Sequence, residues 1–533
     1  MNSAEELEQI IPDLYLNRDN GDLVRYFEAC GVLLDQMRQT LLQRLADNFP
    51  DNPVDGSLAC QDWLIPYFAR LLDVKLVSPT PRGQRDEVAN AISWRQSKGT
   101  LRTIEAVAQS VGQLEMVLHE GWRRVAVTPR IDTPLISAVA YGYDGEAPAA
   151  YPSLAARHPG LPAATVDLRC PAGAVAAGPA NPAVQQSTVD GDTHLWRQAS
   201  FHGAPCHPES YDDPSRRTVD FRSSNWREGH FHPRKILLYY APPAGFFPPQ
   251  MQGTVWPSGA DSIDEVDWPL AGDPFGADFH DLIEVVDEPG RTIFRNRRFG
   301  SEGFLPVRIS RVAHFGQGPS ATPGDPNSHV WRFEGIVFNS RLVVHSGRVE
   351  FDECALRRLE IESVDLDEPV VDASNCLIKA LQAPEGLVEL EYCTLLNAAA
   401  LGSLKASDCL FRGDIRGASG PNPPATGCVR YSRVTPGQVR MQTLHGGLHL
   451  KHVSTLEPVM FTESYGERGC GVLHPAAPEA VRHGADGGGE LGAYHRRRLA
   501  MRPDAVLEKL ADFLPVGYEA VPIPDERMLA LPD

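Results

Sequence analysis

Val349-Glu350-Phe351-Asp352-Glu353-Cys354-Ala355-Leu356 states a phrase that the chain repeats: an apolar-polar-apolar run, a polar residue, a cysteine, and an apolar residue two places on. The phrase returns around Ser374-Asn375-Cys376-Leu377-Ile378, Glu391-Tyr392-Cys393-Thr394-Leu395 and Ser407-Asp408-Cys409-Leu410-Phe411, with a weaker copy near Cys428. The cysteines advance by 22, 17 and 16 residues, close to one coil of a β-solenoid. A unit this short cannot bury its apolar face alone and must stack on its neighbours. The tract is therefore architecture before it is chemistry, and the four cysteines are expected as small buried hydrophobes in one inward column.

Length bounds the rest. At 533 residues the chain exceeds one core and should divide into roughly three or four domains. Hydrophobic content of 42% and charged content of 22% are ordinary for folded protein. A net charge of -19 argues against a general nucleic-acid binder, because phosphates reward a basic face. No apolar run reaches a membrane span, and Met1-Asn2-Ser3-Ala4-Glu5-Glu6 is too acidic for a secretory signal. Ten cysteines without such a signal argue against a disulfide framework, and Cys354, Cys376, Cys393 and Cys409 lack the close pairs of a zinc site.

Four parts are expected. Residues 1–125 read as a helical domain. Asp22-Leu23-Val24-Arg25-Tyr26-Phe27 opens a helix that continues through Leu33, Leu34, Met37, Leu41, Leu42 and Leu45 at three- and four-residue spacing, with its cap near Asp22. A second helix is expected over Trp63–Leu72 with Trp63, Leu64, Tyr67, Phe68, Leu71 and Leu72 on its apolar side, a third over Arg85–Trp94, and a fourth from a Thr100 cap to Val111. Residues 126–277 read as a β-sandwich-like domain with Pro- and Gly-rich loops, using strands such as Thr218–Arg222 and Lys235–Tyr240. Residues 278–435 read as a parallel β-helix (solenoid). Residues 436–533 read as a small mixed domain, loop-rich from Tyr465 to His495, with a final helix over Ala505–Phe513. The fold class is multidomain α+β.

Candidate chemistry is thin. His230 and His232 share one strand face, with Glu228, Cys206 and His207 as conceivable third ligands, yet beside Phe231 and Pro233 packing is the better account. Asn17-Arg18-Asp19-Asn20-Gly21-Asp22 is laid out like the start of a calcium loop but lacks its closing acid, Glu28 fitting no common origin. Gly484-Ala485-Asp486-Gly487-Gly488-Gly489-Glu490 lacks the Lys-Ser/Thr of a phosphate loop. Asp352, Glu353, Glu360, Glu362, Asp365 and Asp367 are plentiful, but their spacing sets no pair at one position on successive coils, as sugar cleavage would need. No catalytic, cofactor-binding or metal-binding residue and no cofactor is expected, and the chain is expected not to be an enzyme.

Leu14-Tyr15-Leu16-Asn17-Arg18-Asp19-Asn20-Gly21-Asp22-Leu23 and Trp94-Arg95-Gln96-Ser97-Lys98-Gly99-Thr100 resemble the tail protein I family over about the first 125 residues. Members of that family are baseplate wedge components of contractile-tailed phages and related contractile injection systems. The Trp-Arg-x-x-Lys-Gly-Thr turn before a helix is the most specific part. The resemblance implies a structural role in a ring assembly, with other wedge proteins and spike/hub, tube or sheath-initiating subunits as partners, no nucleic acid and no membrane span. It implies assembly in the bacterial cytoplasm into a phage tail-like particle. The solenoid leaves one alternative, a tail-associated protein that binds or cleaves polysaccharide. The family carries no catalytic residues over.

Overall fold

The computed structural model describes residues 3–12, 15, 19–53, 58–120, 186–189, 192–195, 234–255, 275, 277–300, 304–316, 322, 324–418, 420–475 and 477–524. Its contacts divide the chain into two compact units: Met1–Gln113 with Glu508–Pro515, and Leu114–Leu507 with Val516–Asp533.

The first unit is helical: α1 (Ser3–Ile10), α2 (Asp22–Ala46), α3 (Ile65–Leu71), α4 (Pro81–Ala89), α5 (Ala91–Gln96) and α6 (Leu101–Gly112). The residue that caps α2 is Asp19 rather than Asp22, which is the first helical residue. The Asp19 carboxylate accepts from the Gly21, Leu23 and Val24 N–H groups, and these bonds, Leu23's foremost, hold its pKa below the usual range. That use of the carboxylate is a helix start, not an ion cage. α1 lies along α2 where Gly31 permits it, since a Cβ there would stand 2.7 Å from that of Ala4. The expected Arg85–Trp94 helix is two helices, because Asn90 leaves the helical region at φ -97, ψ 1. The expected apolar side of the second helix holds for one half and is corrected for the other. Leu64, Phe68 and Leu72 pack against the core that Ile65 and Ala69 form with Cys60 and Val88, while Trp63, Tyr67 and Leu71 face outward. Thr100 does cap α6, accepting from the Thr103 N–H at 3.3 Å, and Ile104, Val107, Ala108 and Val111 are buried below it.

The second unit is β-rich. Met116–Glu120, Lys235–Tyr240 and Glu519–Pro524 make a three-stranded sheet, antiparallel then parallel. An 18-stranded sheet among the described residues holds the repeat. Val330–Glu334, Arg348–Asp352, Asp365–Ser374, Leu381–Glu391, Ala399–Ser407, Thr426–Arg430 and His449–Lys451 pair in parallel, each with the next. Register sets Phe294, Phe333, Phe351, Ala373, Leu390, Ala406 and Val429 in one inward column. The first three rings stack, at 5.2 and 5.4 Å between centroids.

A corner follows each of these strands from Arg348–Asp352 on. Glu353, Asn375, Tyr392, Asp408, Tyr431 and His452 all take φ between 47° and 57°, a left-handed conformation that reverses the chain at a cost to a non-glycine residue. The cost is met by a ladder: the N–H of each of the first five donates to the carbonyl before the next corner, at Ser374, Glu391, Ser407, Arg430 and Lys451. The residue after each corner points inward, and four times it is cysteine. Cys354, Cys376, Cys393 and Cys409 are free thiols, fully buried. The weaker copy near Cys428 is corrected: the fifth position belongs to Ser432, whose hydroxyl accepts from the Cys409 N–H at 2.9 Å. Cys428 lies on the preceding strand, half-buried.

The segment from Met460 to Ala500 is irregular, as its glycines imply, yet it packs a second core with Val337, Ala355, Leu377, Leu396 and Leu410. Gly492, at φ 91, brings its backbone so close that a Cβ would stand on the Thr394 hydroxyl, and the next N–H, of Ala493, donates to that hydroxyl at 2.9 Å. The helix near the chain's end runs Met501–Leu510, not Ala505–Phe513. Of the proposed sandwich, Lys235–Tyr240 is a strand, whereas Thr218–Arg222 lies outside the described residues.

Candidate docking interface

α2 is 25 residues long and buries only Phe27 and Gly31. Leu33, Met37 and Leu41 are 63%, 64% and 70% exposed, and Tyr26, Leu34, Leu42 and Leu45 are exposed beside them. Tyr26, Leu33, Met37, Leu41 and Leu45 recur at three- and four-residue steps or their sum, so they share one stripe of the helix. The periodicity that marks a helix in the sequence is therefore not a core-facing stripe. Core packing uses the Phe27–Gly31 side, against α1. A continuous apolar stripe left in water is the usual mark of a surface that another chain covers.

The Trp94–Thr100 phrase has a structural explanation. Trp94 is buried edge-on against Phe513, at 6.2 Å and 86°. Arg95 donates to the carbonyls of Leu72 and Asp73, closing the turn after α3. Gly99, at φ 85, then turns the chain so that Thr100 can cap α6. Beneath Trp94, Glu87 is wholly buried. Its carboxylate accepts from the Val77 and Ser78 N–H groups at 3.1 and 2.6 Å and from Lys509 Nζ at 2.7 Å. Lys509 also donates to the Lys75 carbonyl at 2.6 Å, and Lys75 pairs with Glu508 at 2.7 Å. These contacts tie α4 and α5 to the Glu508–Pro515 segment of the same unit.

The other sequence candidates are dispersed. Glu228, His230, His232, Cys206 and His207 lie outside the described residues. In the 484–490 stretch the Ala485 N–H donates to the Gly489 carbonyl, and the Asp486 N–H donates to Asp408 at 2.6 Å, so the turn closes on its own unit. Glu490 after it is buried, accepts from the Ala500 N–H at 3.2 Å, and is pushed up to about 8 by burial. Among the described residues no group of three or more His, Cys, Asp or Glu is placed to hold a metal ion, and no helix is long and apolar enough to cross a membrane.

Carboxylates do align on successive parallel strands, contrary to the sequence expectation, though the column uses none of those named there. Glu350, Asp372 and Glu389 occupy one register position, flanked by Arg332 and Lys405. The unequal steps between them hide this from a spacing argument. Arg291 and Arg332 bind Glu350, at 2.5 and 2.9 Å. Asp372 is pushed up to about 6, by burial first and then by Glu389 and Glu350. A carboxyl raised above its unfolded value of 3.8 resists ionisation in the folded state. Its penalty is absent at pH below about 3.8, builds as pH rises from there to about 6, and is fully present above. Asp372→Asn should therefore raise the melting temperature of the second unit at pH 8, and the gain should vanish at pH values below about 4. Thermal scans at both pH values decide it; an equal gain at both would refute the assignment.

Residues 33–147 match the family model described as phage tail protein (Tail_P2_I). The matched residues begin at Leu33, inside the exposed stripe, and include the Trp94–Thr100 phrase; Leu14–Leu23 precede them. The match spans less than a quarter of the chain and supports a structural tail component, part of a virion or tail particle. No curated protein and no solved structure matches the chain.

Proposed function

We propose that the chain is a baseplate wedge component of a contractile phage tail or contractile injection system, present in several copies in a ring. α2 is its docking helix toward neighbouring baseplate proteins, among them other wedge subunits and the spike/hub, tube or sheath-initiating subunits. The observation that carries this reading is the position of the tail-protein match, which opens on the exposed stripe of α2. In the same reading the parallel ladders of the second unit form a β-helix, a spacer that adds length without flexibility because every coil bonds its neighbours. The proposal gives the chain no catalysis, no nucleic acid and no membrane span, and has it assemble in the bacterial cytoplasm. The polysaccharide alternative is not favoured, since the family match concerns a tail component.

The test is incorporation. Leu33→Ser, Met37→Ser and Leu41→Ser together remove exposed side chains that the unit's own core does not use. The variant should fold with an unchanged helical spectrum. Central apolar anchors at an interface cost about 1–2 kcal/mol or more each when truncated, so its share in purified particles should fall by at least about tenfold. Normal incorporation would overturn the docking role of α2.

A further inference from the structure

We propose that a groove on the β-rich unit is a second docking site, and that it takes a carboxylate-bearing segment of a neighbouring protein. Arg341, Arg357, Arg358 and Lys379 line it, with Asn339 and Asn397 between them. The cations stand on successive coils, since Arg341 registers with Arg358 and the Lys379 N–H donates to the Leu356 carbonyl. Coil spacing sets them about 4.8 Å apart along the stack.

Charge chooses the ligand. Glu360 is shared by two guanidinium groups, Arg341 at 3.4 Å and Arg358 at 2.5 Å, and both arginines keep about half their surface in water. Arg357 is exposed beside them. A cluster of guanidinium forks is matched in geometry by carboxylates, which they hold with two parallel hydrogen bonds. Against a net charge of -19, a cationic groove is a favoured landing place for an acidic partner. The sole apolar lining residue is Ala380, and no aromatic ring among the lining residues offers a sugar a stacking face. A protein segment that brings carboxylates fits this surface better than a glycan.

This inference deepens the tail-component reading by naming the chemistry of one neighbour. Its test uses the purified full chain and a fluorescent oligoglutamate peptide, with oligogalacturonate and inorganic pyrophosphate alongside. Oligoglutamate should bind at low salt, weaken as salt rises, and lose at least about tenfold in affinity with Arg357→Glu, a substitution that leaves both Glu360 ion pairs in place. Arg341→Gln with Arg358→Gln should weaken it independently. Three results would overturn the proposal: no binding at low salt, equal binding by Arg357→Glu, or tighter binding of oligogalacturonate or pyrophosphate with the same sensitivity to Arg357. Because no particle is involved, each of these leaves the incorporation assay on α2 untouched.

Discussion

Replacing Lys509 with methionine should destabilise the helical unit by about 3–5 kcal/mol, the usual cost of leaving one member of a buried ion pair without its partner. Glu87 is wholly buried, and without Lys509 its carboxylate is left with the N–H groups of Val77 and Ser78 as donors. Removing both charges is a different change. In Lys509→Met with Glu87→Gln the remaining side chain can still accept from those N–H groups, so much of the loss should return. A chain of two compact units need not unfold in one step. The measurement is therefore local: hydrogen exchange followed by mass spectrometry on peptides covering Pro81–Ala89 and Leu101–Gly112. Both should lose protection in the single variant and recover part of it in the double. Unchanged protection in the single variant would show that the pair contributes nothing. The same contacts predict that a chain cut before Glu508 keeps a weakened helical unit, because Lys509 and Phe513 belong to it.

Nothing in the sequence announces that pair, since Lys509 lies 422 residues from Glu87 and neither sits in a periodic pattern. Local signals fared better. Thr100 reads as a cap because the helix it opens has a continuous apolar face, and the structure keeps both. The stripe of α2 reads equally well, but periodicity reports only that apolar residues share a face, not what covers that face. Only exposure showed that Leu33, Met37 and Leu41 lie outside the unit's own core. In the β-rich unit the cysteine phrase located the corners, because a corner needs one polar left-handed residue and one small buried residue in sequence. It failed at the fifth corner, where Ser432 does the work of a cysteine and Cys428 is a decoy. It also hid the Glu350–Asp372–Glu389 column, because the length of chain between paired strands varies and register shifts between Asp365 and Val371, while it holds unbroken from Val371 to Ser374.

Cys376→Asp should cost the second unit about 2–5 kcal/mol, since it places a carboxylate in a dry column with no cation beside it. The Cys376 thiol donates to the Ser374 carbonyl at 3.1 Å, and its sulfur accepts from the Cys354 N–H at 3.4 Å. A hydroxyl can do both, and the column already contains one: Ser432 donates to the Arg430 carbonyl at 2.6 Å while accepting from the Cys409 N–H. Cys376→Ser should then cost only about 1 kcal/mol, the scale of one hydrogen bond exchanged for another. Urea midpoints of the two variants separate charge burial from simple loss of sulfur, and equal midpoints would refute the argument. Reactivity gives a second reading. Burial pushes the Cys376 and Cys409 thiols well above the usual range, so little thiolate is present to react. Both should be labelled at neutral pH only as fast as the unit opens. Cys428, at a half-buried strand position, should react faster than these buried thiols. Rapid labelling of Cys354, Cys376, Cys393 and Cys409 in the native chain would remove them from the core and with them the column on which the corner ladder rests.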